Sequence, residues 1–247
     1  MKIIISPAKT MKVDTKTFPV KNVPVYREQT EKLLTAVKKM SFEELQKMYK
    51  TSEQLTQVNF ERFMEMDLNK DLTPALIAYQ GQVYQHINVK NLNEAEINYL
   101  EKYLRIISGF YGLVKPFDGI VPYRLEMSNK LQIDEKKNLY EFWGVTLYQD
   151  LFAEDDSVIN LASKEYFSVI SPYLKENDRF INVEFAKEEN GKTKQLGMVS
   201  KMARGEMIRY LAENQIEKIE QIKEFKFRNL NFSEKYSTEN KMMFIQV

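Results

Sequence analysis

The chain has 247 residues, of which 43% are hydrophobic and 29% are charged, as in an ordinary globular protein. Lysine and arginine number 36 against 35 aspartates and glutamates, so attraction to a polyanion has to come from a local basic patch. The chain has no cysteine and one histidine, His86. This excludes disulfides, thiol peroxidase chemistry, iron–sulfur ligation and the usual zinc and di-iron sites.

The first third of the chain predicts a strand, an arm and then helices. Ile3–Ile5 is a β-branched run closed by Pro7, which predicts a short buried strand. Residues 10–26 contain two prolines and little periodicity, which favours a loop or an extended arm. Helix starts are then predicted at the capping box Ser41–Glu44, at Thr51–Gln54 and at Thr73–Pro74.

The middle of the chain predicts two amphipathic helices and a strand. Apolar residues recur at helical spacing over Asn93–Ile107, and Gly109 stands where a left-handed C-cap is expected. Leu139–Phe152 predicts a second helix, rich in aromatic residues. Ser157–Leu161 predicts a buried strand that leads into a helix capped by Ser163.

The last third predicts a hairpin, a helix and a mixed tail. Phe180–Phe185 and Lys194–Val199 flank Asn190–Gly191, the strongest short hairpin signal, and Ser200 is expected to cap a helix. The tail predicts a short helix over 217–223 and strands over 224–230 and 241–246. Helices and strands alternate without a strict βαβ rhythm, so we expect an α/β (α+β) fold: one domain over 1–247, with a mixed β-sheet and flanking helices.

Residues 104–116 form the longest segment whose residue types exceed what packing requires. Gly109 and Gly112 would let backbone amides approach a phosphate, as in a helix-hairpin-helix DNA-binding element. Their Gly-x-x-Gly spacing departs from the Gly-x-Gly usual in such hairpins. The alternative is a helix C-cap and a tight turn, with Phe110 and Tyr111 in the core.

Two further segments carry paired charges. In an extended chain Arg124 and Glu126 share one face, which suits a structural ion pair or a polar ligand held between them. Lys201 and Arg204 share one face near the start of a predicted helix, where cations oppose the helix macrodipole. A bound anion would reverse that penalty, and an ordinary surface helix is the alternative.

Seven blocks of sequence, in the same order along the chain, resemble the YaaA family of peroxide stress proteins. Departures are small: Ile107 and Phe110 replace leucines, and Ser200 stands where the family often has lysine. The blocks span nearly the whole chain: Ile5–Thr10, Gly81–Tyr84, Ser108–Leu113, Pro122–Met127, Tyr140–Trp143, Ile159–Ser163 with Glu165–Tyr166, and Ala203–Gly205.

The resemblance implies a cytoplasmic protein that protects cells against hydrogen peroxide, with lowered free intracellular iron as a consequence. It also implies a single-domain α/β fold with a positively charged cleft, a helix-hairpin-helix element and DNA binding. This favours the phosphate-binding interpretation of residues 104–116. The sequence has neither a signal peptide pattern nor the ~20 apolar residues of a membrane helix, which agrees with a cytoplasmic location without a membrane partner.

The leading hypothesis is therefore a non-enzymatic DNA-binding protein that contacts backbone phosphates. The contacts are expected from Lys9, Arg105, Gly109, Tyr111, Gly112, Lys115, Lys201 and Arg204. The alternative is an enzyme that acts on a small anionic or nucleotide-like substrate. Its pocket would be lined by Lys9, Arg124, Glu126, Lys201 and Arg204, with Asn160, Ser163 and Glu165 nearby.

Neither hypothesis includes a cofactor or a metal, and direct iron sequestration is disfavoured because histidine–carboxylate spacing is absent. The placement of the basic residues discriminates between the two hypotheses. Convergence of Lys9, Arg124, Lys201 and Arg204 in a closed pocket would favour the enzyme. An open groove ~20 Å wide beside residues 104–116 would favour a DNA duplex.

Overall fold

The isoleucine run near the start of the chain lies in the middle of the main β-sheet in the computed structural model, which describes residues 1–246. Every residue of this strand is buried, because it has a neighbouring strand on each side. The strands are β1 (Lys2–Ile5), β2 (Thr10–Met11), β3 (Thr73–Pro74), β4 (Tyr79–Gln80), β5 (Leu104–Ser108), β6 (Gly112–Val114), β7 (Gly119–Ile120), β8 (Ser157–Asn160), β9 (Arg179–Glu189), β10 (Lys192–Gln195), β11 (Leu230–Phe232) and β12 (Lys241–Gln246).

Helices occupy most of the segments between these strands. The α-helices are α1 (Arg27–Lys38), α2 (Phe42–Tyr49), α3 (Glu53–Glu65), α4 (Ala75–Ala78), α5 (Gln82–Ile87), α6 (Glu94–Tyr103), α7 (Leu139–Trp143), α8 (Thr146–Leu151), α9 (Lys164–Phe167) and α10 (Met198–Glu213). Short 3₁₀ helices are Val89–Asn91, Ser171–Tyr173, Ile219–Glu224 and Glu234–Tyr236.

The main sheet is mixed, with the strand order β11-β12-β9-β8-β1-β5-β6, and β10 pairs with β9. Strands β12, β9, β8, β1 and β5 are mutually parallel, whereas β11, β6 and β10 are antiparallel to their neighbours. The predicted α/β class with a mixed sheet and flanking helices is confirmed. Counted along the chain, the five parallel strands lie in the order 2-1-3-4-5. The direction of winding therefore reverses between β1 and β8, a doubly wound feature that the sequence did not predict.

The sequence correctly predicts several local elements. Ser41 Oγ accepts a hydrogen bond from the Glu44 amide, and the Glu44 carboxylate accepts one from the Ser41 amide, so the capping box opens α2. Ser52 caps α3. Asn190 and Gly191 have φ values of 53° and 75° and close the β9–β10 hairpin, as their sequence indicates.

Residues 104–116 differ from the prediction. The helix begins as expected after its Asn93 cap but ends at Tyr103, and Leu104–Ser108 is strand β5, paired with both β1 and β6. The segment is thus a β-hairpin, and the helix-hairpin-helix prediction is wrong. The physical reason is burial: four of the five residues of β5 are buried in the sheet, which outweighs their helical periodicity.

Three smaller predictions also need correction. Gly144, with φ of 48°, divides the expected helix over 139–152 into α7 and α8. Ser200 does not cap α10, which begins at Met198; the Ser200 hydroxyl donates to the carbonyl of Phe185 instead. The strand expected over 224–230 lies later, at Leu230–Phe232.

Candidate functional site

A cavity of about 470 Å³ opens where the carboxyl ends of β1 and β8 meet. Ser6 follows β1 and Ser163 follows the turn after β8; the Ser163 amide donates to Ser6 Oγ at 2.8 Å, and Ser6 Oγ donates to Ser163 Oγ at 3.2 Å. In open α/β sheets ligands bind at this point, where the strand order reverses. We call the cavity the switch-point pocket; it is lined by Ser6–Thr10, Gln80–Tyr84, Ser163, Glu165, Tyr166, Lys201 and Arg204.

Arg204 is the unusual side chain of this pocket. It extends from the second turn of α10, and its Nε is buried without a hydrogen-bond partner. Within residues 1–246 no carboxylate comes within ion-pairing distance of its guanidinium. Burial lowers the pKa of Arg204, and the more distant charge of Glu184 partly opposes this effect. Because arginine stays protonated, the pocket holds a half-buried positive charge that no carboxylate of residues 1–246 pairs with.

Lys9 and Lys201 provide two more positive charges in the lining, and both side chains are exposed. Lys9 Nζ lies 3.1 Å from Glu126 Oε2, and the other oxygen of Glu126 lies 3.0 Å from Arg124. Arg124 and Glu126 are only 11% and 14% exposed and do not line the pocket, so the ion-pair interpretation holds for them. Arg124 also stacks over the ring of Tyr49 at 5.6 Å. The Arg124–Glu126 ion pair therefore holds the Lys9 side chain from outside the pocket lining, through Glu126.

The three polar residues predicted near the pocket have different roles. Glu165 lines it, and Glu165 Oε1 accepts hydrogen bonds from Ser128 N at 3.1 Å and Ser128 Oγ at 2.8 Å. Ser163 joins the two loops, as described above. Asn160 lies outside the lining: its Oδ1 accepts from the Ala162 amide and its Nδ2 donates to Asn182. Asn160 therefore shapes the turn after β8.

The turn Gly109–Gly112 is buried, and two of its backbone amides donate hydrogen bonds within the same segment of chain. The amides of Phe110 and Tyr111 donate to Ser108 Oγ at 3.1 and 2.9 Å. A Cβ on Gly109 would lie 2.6 Å from the carbonyl oxygen of Leu125, so the neighbouring chain requires glycine there. We therefore assign Gly109, Tyr111 and Gly112 to packing.

Arg105 and Lys115 lie at the other edge of the sheet. With Lys2 at the amino end of β1, they line a separate cavity of about 190 Å³ that also contains Asp150 and Glu154. Arg105 donates to the carbonyls of Glu101 and Leu104, and burial lowers its pKa. The structure thus brings together Lys9, Lys201 and Arg204, and places Arg105 and Lys115 apart from them.

Sequence reasoning missed the polar residues that complete the pocket. Tyr84 donates from its hydroxyl to the carbonyl of Ser6 at 2.9 Å, which fixes α5 against the loop after β1. Burial raises the pKa of both Tyr84 and Tyr166, so their hydroxyls remain neutral donors. A signal existed: four of the blocks that resemble the YaaA family supply walls of this pocket, namely Ile5–Thr10, Gly81–Tyr84, Glu165–Tyr166 and Ala203–Gly205.

No group of three or more histidine, aspartate or glutamate side chains within residues 1–246 is arranged to hold a metal ion. None of the helices described combines the length and apolar character that crossing a membrane requires.

Comparison with known proteins agrees with the resemblance. The family described as peroxide stress protein YaaA matches residues 1–236. The chain belongs to the YaaA family. Relatives called UPF0246 protein match over nearly their full lengths, among them those of Pediococcus pentosaceus (45% identity, covering 100% of this chain and 98% of the relative) and Limosilactobacillus reuteri (46%, covering 99% and 98%). The UPF0246 protein of Ligilactobacillus salivarius is 42% identical, with 100% of each chain covered. The switch-point pocket is therefore a feature of a peroxide stress protein of the YaaA family.

Proposed function

We propose that this peroxide stress protein binds a small phosphate-bearing ligand in the switch-point pocket. The observation that carries the proposal is Arg204, which lines a pocket at the reversal of strand order. Its side chain is half-buried, its Nε is buried without a hydrogen-bond partner, and no carboxylate of residues 1–246 pairs with it. Lys201 adds positive charge, and Lys9 does so while paired with Glu126. The only carboxylate in the lining, Glu165, is held by Ser128. Phosphate is the anion whose several oxygens suit this set of donors.

The size of the pocket supports a small ligand over a DNA duplex. A volume of about 470 Å³ lies within the ~300–1,000 Å³ range of small-molecule sites. A duplex would need a groove ~20 Å wide, and the hairpin expected to flank that groove has its amides buried. Protection against peroxide would then be indirect, through the bound ligand, since the chain has no thiol with which to reduce peroxide.

The experiment is a calorimetric titration of the purified protein with inorganic phosphate, ribose 5-phosphate and mononucleotides, in wild type and Arg204→Gln. Loss of one charged hydrogen-bonding partner should weaken binding ~10–150-fold. Arg209→Gln serves as the control, because Arg209 lies on the same helix but pairs with Glu213 at 2.7 Å. Binding that is equal in wild type and Arg204→Gln would refute the proposal. Chromatography of the titrated mixture reports whether the ligand is also converted, which separates an enzyme from a binding protein.

A second candidate function is binding of DNA backbone phosphates. It is supported by Lys9 and Lys201, whose exposed side chains extend the positive charge to the mouth of the pocket. Such binding should weaken steeply as salt rises, since each phosphate contact releases a counter-ion. A filter-binding series at increasing salt with Lys9→Ala and Lys201→Ala tests it; affinity that does not change with salt would exclude it.

We propose that the lowering of free iron, expected of this family, is a downstream effect of ligand binding. The chain lacks cysteine and has a single histidine, and within residues 1–246 no three histidine or carboxylate side chains are arranged to hold a metal ion. Titration of the protein with ferrous iron, followed by equilibrium dialysis, should give no stoichiometric binding. Tight binding of one or more ions per chain would show that the protein holds iron itself.

A further inference from the structure

Within residues 1–246, Glu165 provides the one carboxylate that lines the switch-point pocket. The side chain is half-buried, and its Oε1 accepts hydrogen bonds from the amide and the hydroxyl of Ser128. The second oxygen, Oε2, accepts no hydrogen bond from the described residues and keeps contact with solvent. Oε2 is therefore the carboxylate oxygen that remains for a bound ligand.

The orientation of Glu165 is fixed from two sides. The hydroxyl of Tyr140 donates to the backbone carbonyl of Glu165 at 2.9 Å, which ties α9 to α7. Ser128, which holds Oε1, lies in a turn that Asn129 closes. In that turn the Glu126 amide donates to Asn129 Oδ1 at 2.7 Å, and the Asn129 amide donates to the Glu126 carbonyl at 3.0 Å. A ligand that binds to Oε2 therefore meets a preorganised acceptor.

Glu165 and Arg204 act on different parts of a ligand. Both line the pocket, yet no ion pair joins them, and no other cation of residues 1–246 pairs with Glu165. A phosphate group is attracted by Arg204 and Lys201 and repelled by the carboxylate. An ionised carboxylate accepts hydrogen bonds and donates none. The ligand atom that contacts Oε2 therefore has to be a hydrogen-bond donor.

Resting on the proposed function of the switch-point pocket, we propose that Glu165 selects a phosphate ester that carries a hydroxyl group. The phosphate binds at Arg204 and Lys201, and a hydroxyl on the carbon skeleton donates to Glu165 Oε2. A hydroxyl suits this position better than an ammonium group, because the three cations of the lining repel a further positive charge. The ligand class is thus a polyol phosphate or a sugar phosphate, bound in preference to inorganic phosphate or an alkyl phosphate.

The test compares phosphate esters with the same number of carbon atoms. Calorimetry with wild type should give glycerol 3-phosphate at least about tenfold tighter binding than propyl phosphate, because propyl phosphate lacks the hydroxyl that donates to the carboxylate. In Glu165→Gln this advantage should fall below about threefold, because Ser128 holds the amide oxygen and leaves an NH₂ group, which cannot accept, toward the ligand.

The same variant distinguishes a role in binding from a structural role. Inorganic phosphate and propyl phosphate should bind more tightly to Glu165→Gln than to wild type, because the repelling charge is gone. If Glu165 only held the turn at Ser128, the substitution would weaken or spare all the ligands alike. Glu141→Gln is the matched control: Glu141 also lies in the first turn of a short helix and accepts from a backbone amide, that of Lys137 at 2.9 Å, but it lies outside the pocket lining. Melting temperatures of both variants, measured without ligand, confirm that the fold is intact.

The outcomes separate this inference from the proposed function. If glycerol 3-phosphate binds no better than propyl phosphate in wild type, or keeps its full advantage in Glu165→Gln, the inference fails while phosphate binding stands. If Arg204→Gln changes the binding of none of these compounds, the proposed function fails. Phosphoethanolamine compared with ethyl phosphate tests the donor: a larger advantage for the amine than for the hydroxyls of glycerol 3-phosphate would overturn the assignment of a hydroxyl.

Discussion

Replacement of Arg204 by methionine should stabilise the unliganded protein. The Arg204 Nε is buried and unpartnered, and a buried donor without an acceptor costs ~1–3 kcal/mol. Methionine keeps the length of the apolar stem and has a helix propensity close to that of arginine, so packing on α10 is retained. The substitution removes the desolvation cost, at the loss of the distant attraction to Glu184.

We expect a net gain of about 1 kcal/mol in the free energy of unfolding. For a chain of this length that gain corresponds to a rise of ~2–4 °C in melting temperature. The assay is urea denaturation and thermal melting in a phosphate-free buffer. Adding ligand should reverse the ranking, because bound ligand stabilises the folded wild type by RT ln(1 + [L]/Kd) and the variant much less.

Arg209→Met provides the opposite case on the same helix. Arg209 pairs with Glu213 at 2.7 Å and also donates to the carbonyls of Ile87 and Asn88, so its loss should destabilise the protein. If Arg204→Met lowers the free energy of unfolding in phosphate-free buffer as Arg209→Met does, Arg204 is a structural residue and the reasoning is refuted.

Substitutions at three other positions test the structure. Burial raises the pKa of Asp118 to about 6 from an ordinary value of 3.8, so its contribution to stability is complete below pH 3.8 and is lost as pH rises through 6. Asp118→Asn should therefore remove up to about 3 kcal/mol of this fall in the free energy of unfolding, measured by urea denaturation from pH 4 to pH 7. A free energy of unfolding that falls with pH equally in wild type and variant would contradict this. In Gly205→Ala the new Cβ would lie 2.3 Å from the carbonyl oxygen of Val83. We expect the free energy of unfolding to fall by ~1–3 kcal/mol and ligand binding to weaken, because α10 must move away from α5. An unchanged melting temperature would show that the two helices separate without cost. Ser41→Ala removes the capping box and should cost ~0.5–2 kcal/mol, whereas Ser41→Asp should restore most of it.

Local chemistry in the sequence predicts much of the fold. The capping box at Ser41, the Asn190–Gly191 turn and the isoleucine strand each depend on residues close in the chain, and each is confirmed. Residues close in the chain do not predict the order of the strands in the sheet. It depends on which buried strand lies next to β1, and the partners at Leu104 and Ile159 are far away in sequence.

The error at residues 104–108 has the same origin. Leu104 and Ile107 are compatible with a helix face by spacing, yet both are buried in strand β5 of the sheet. For the pocket, the sequence places Lys201 and Arg204 on one helix face, and both line the pocket. The sequence does not single out Ser6 and Tyr166, because their importance arises only when the ends of β1 and β8 come together.

The central position of β1 also bears on how the chain folds. Ile3 pairs with Ile159, so the strand is synthesised long before its neighbour β8 exists. Contacts between such distant segments form slowly, because a long loop must close before they contribute stability. During synthesis the three isoleucines therefore stay without their β8 partner until residues 157–160 have been made. Until β8 is made, one edge of the apolar strand β1 is exposed. Aggregation or chaperone binding is therefore most expected for this chain before β8 has been synthesised.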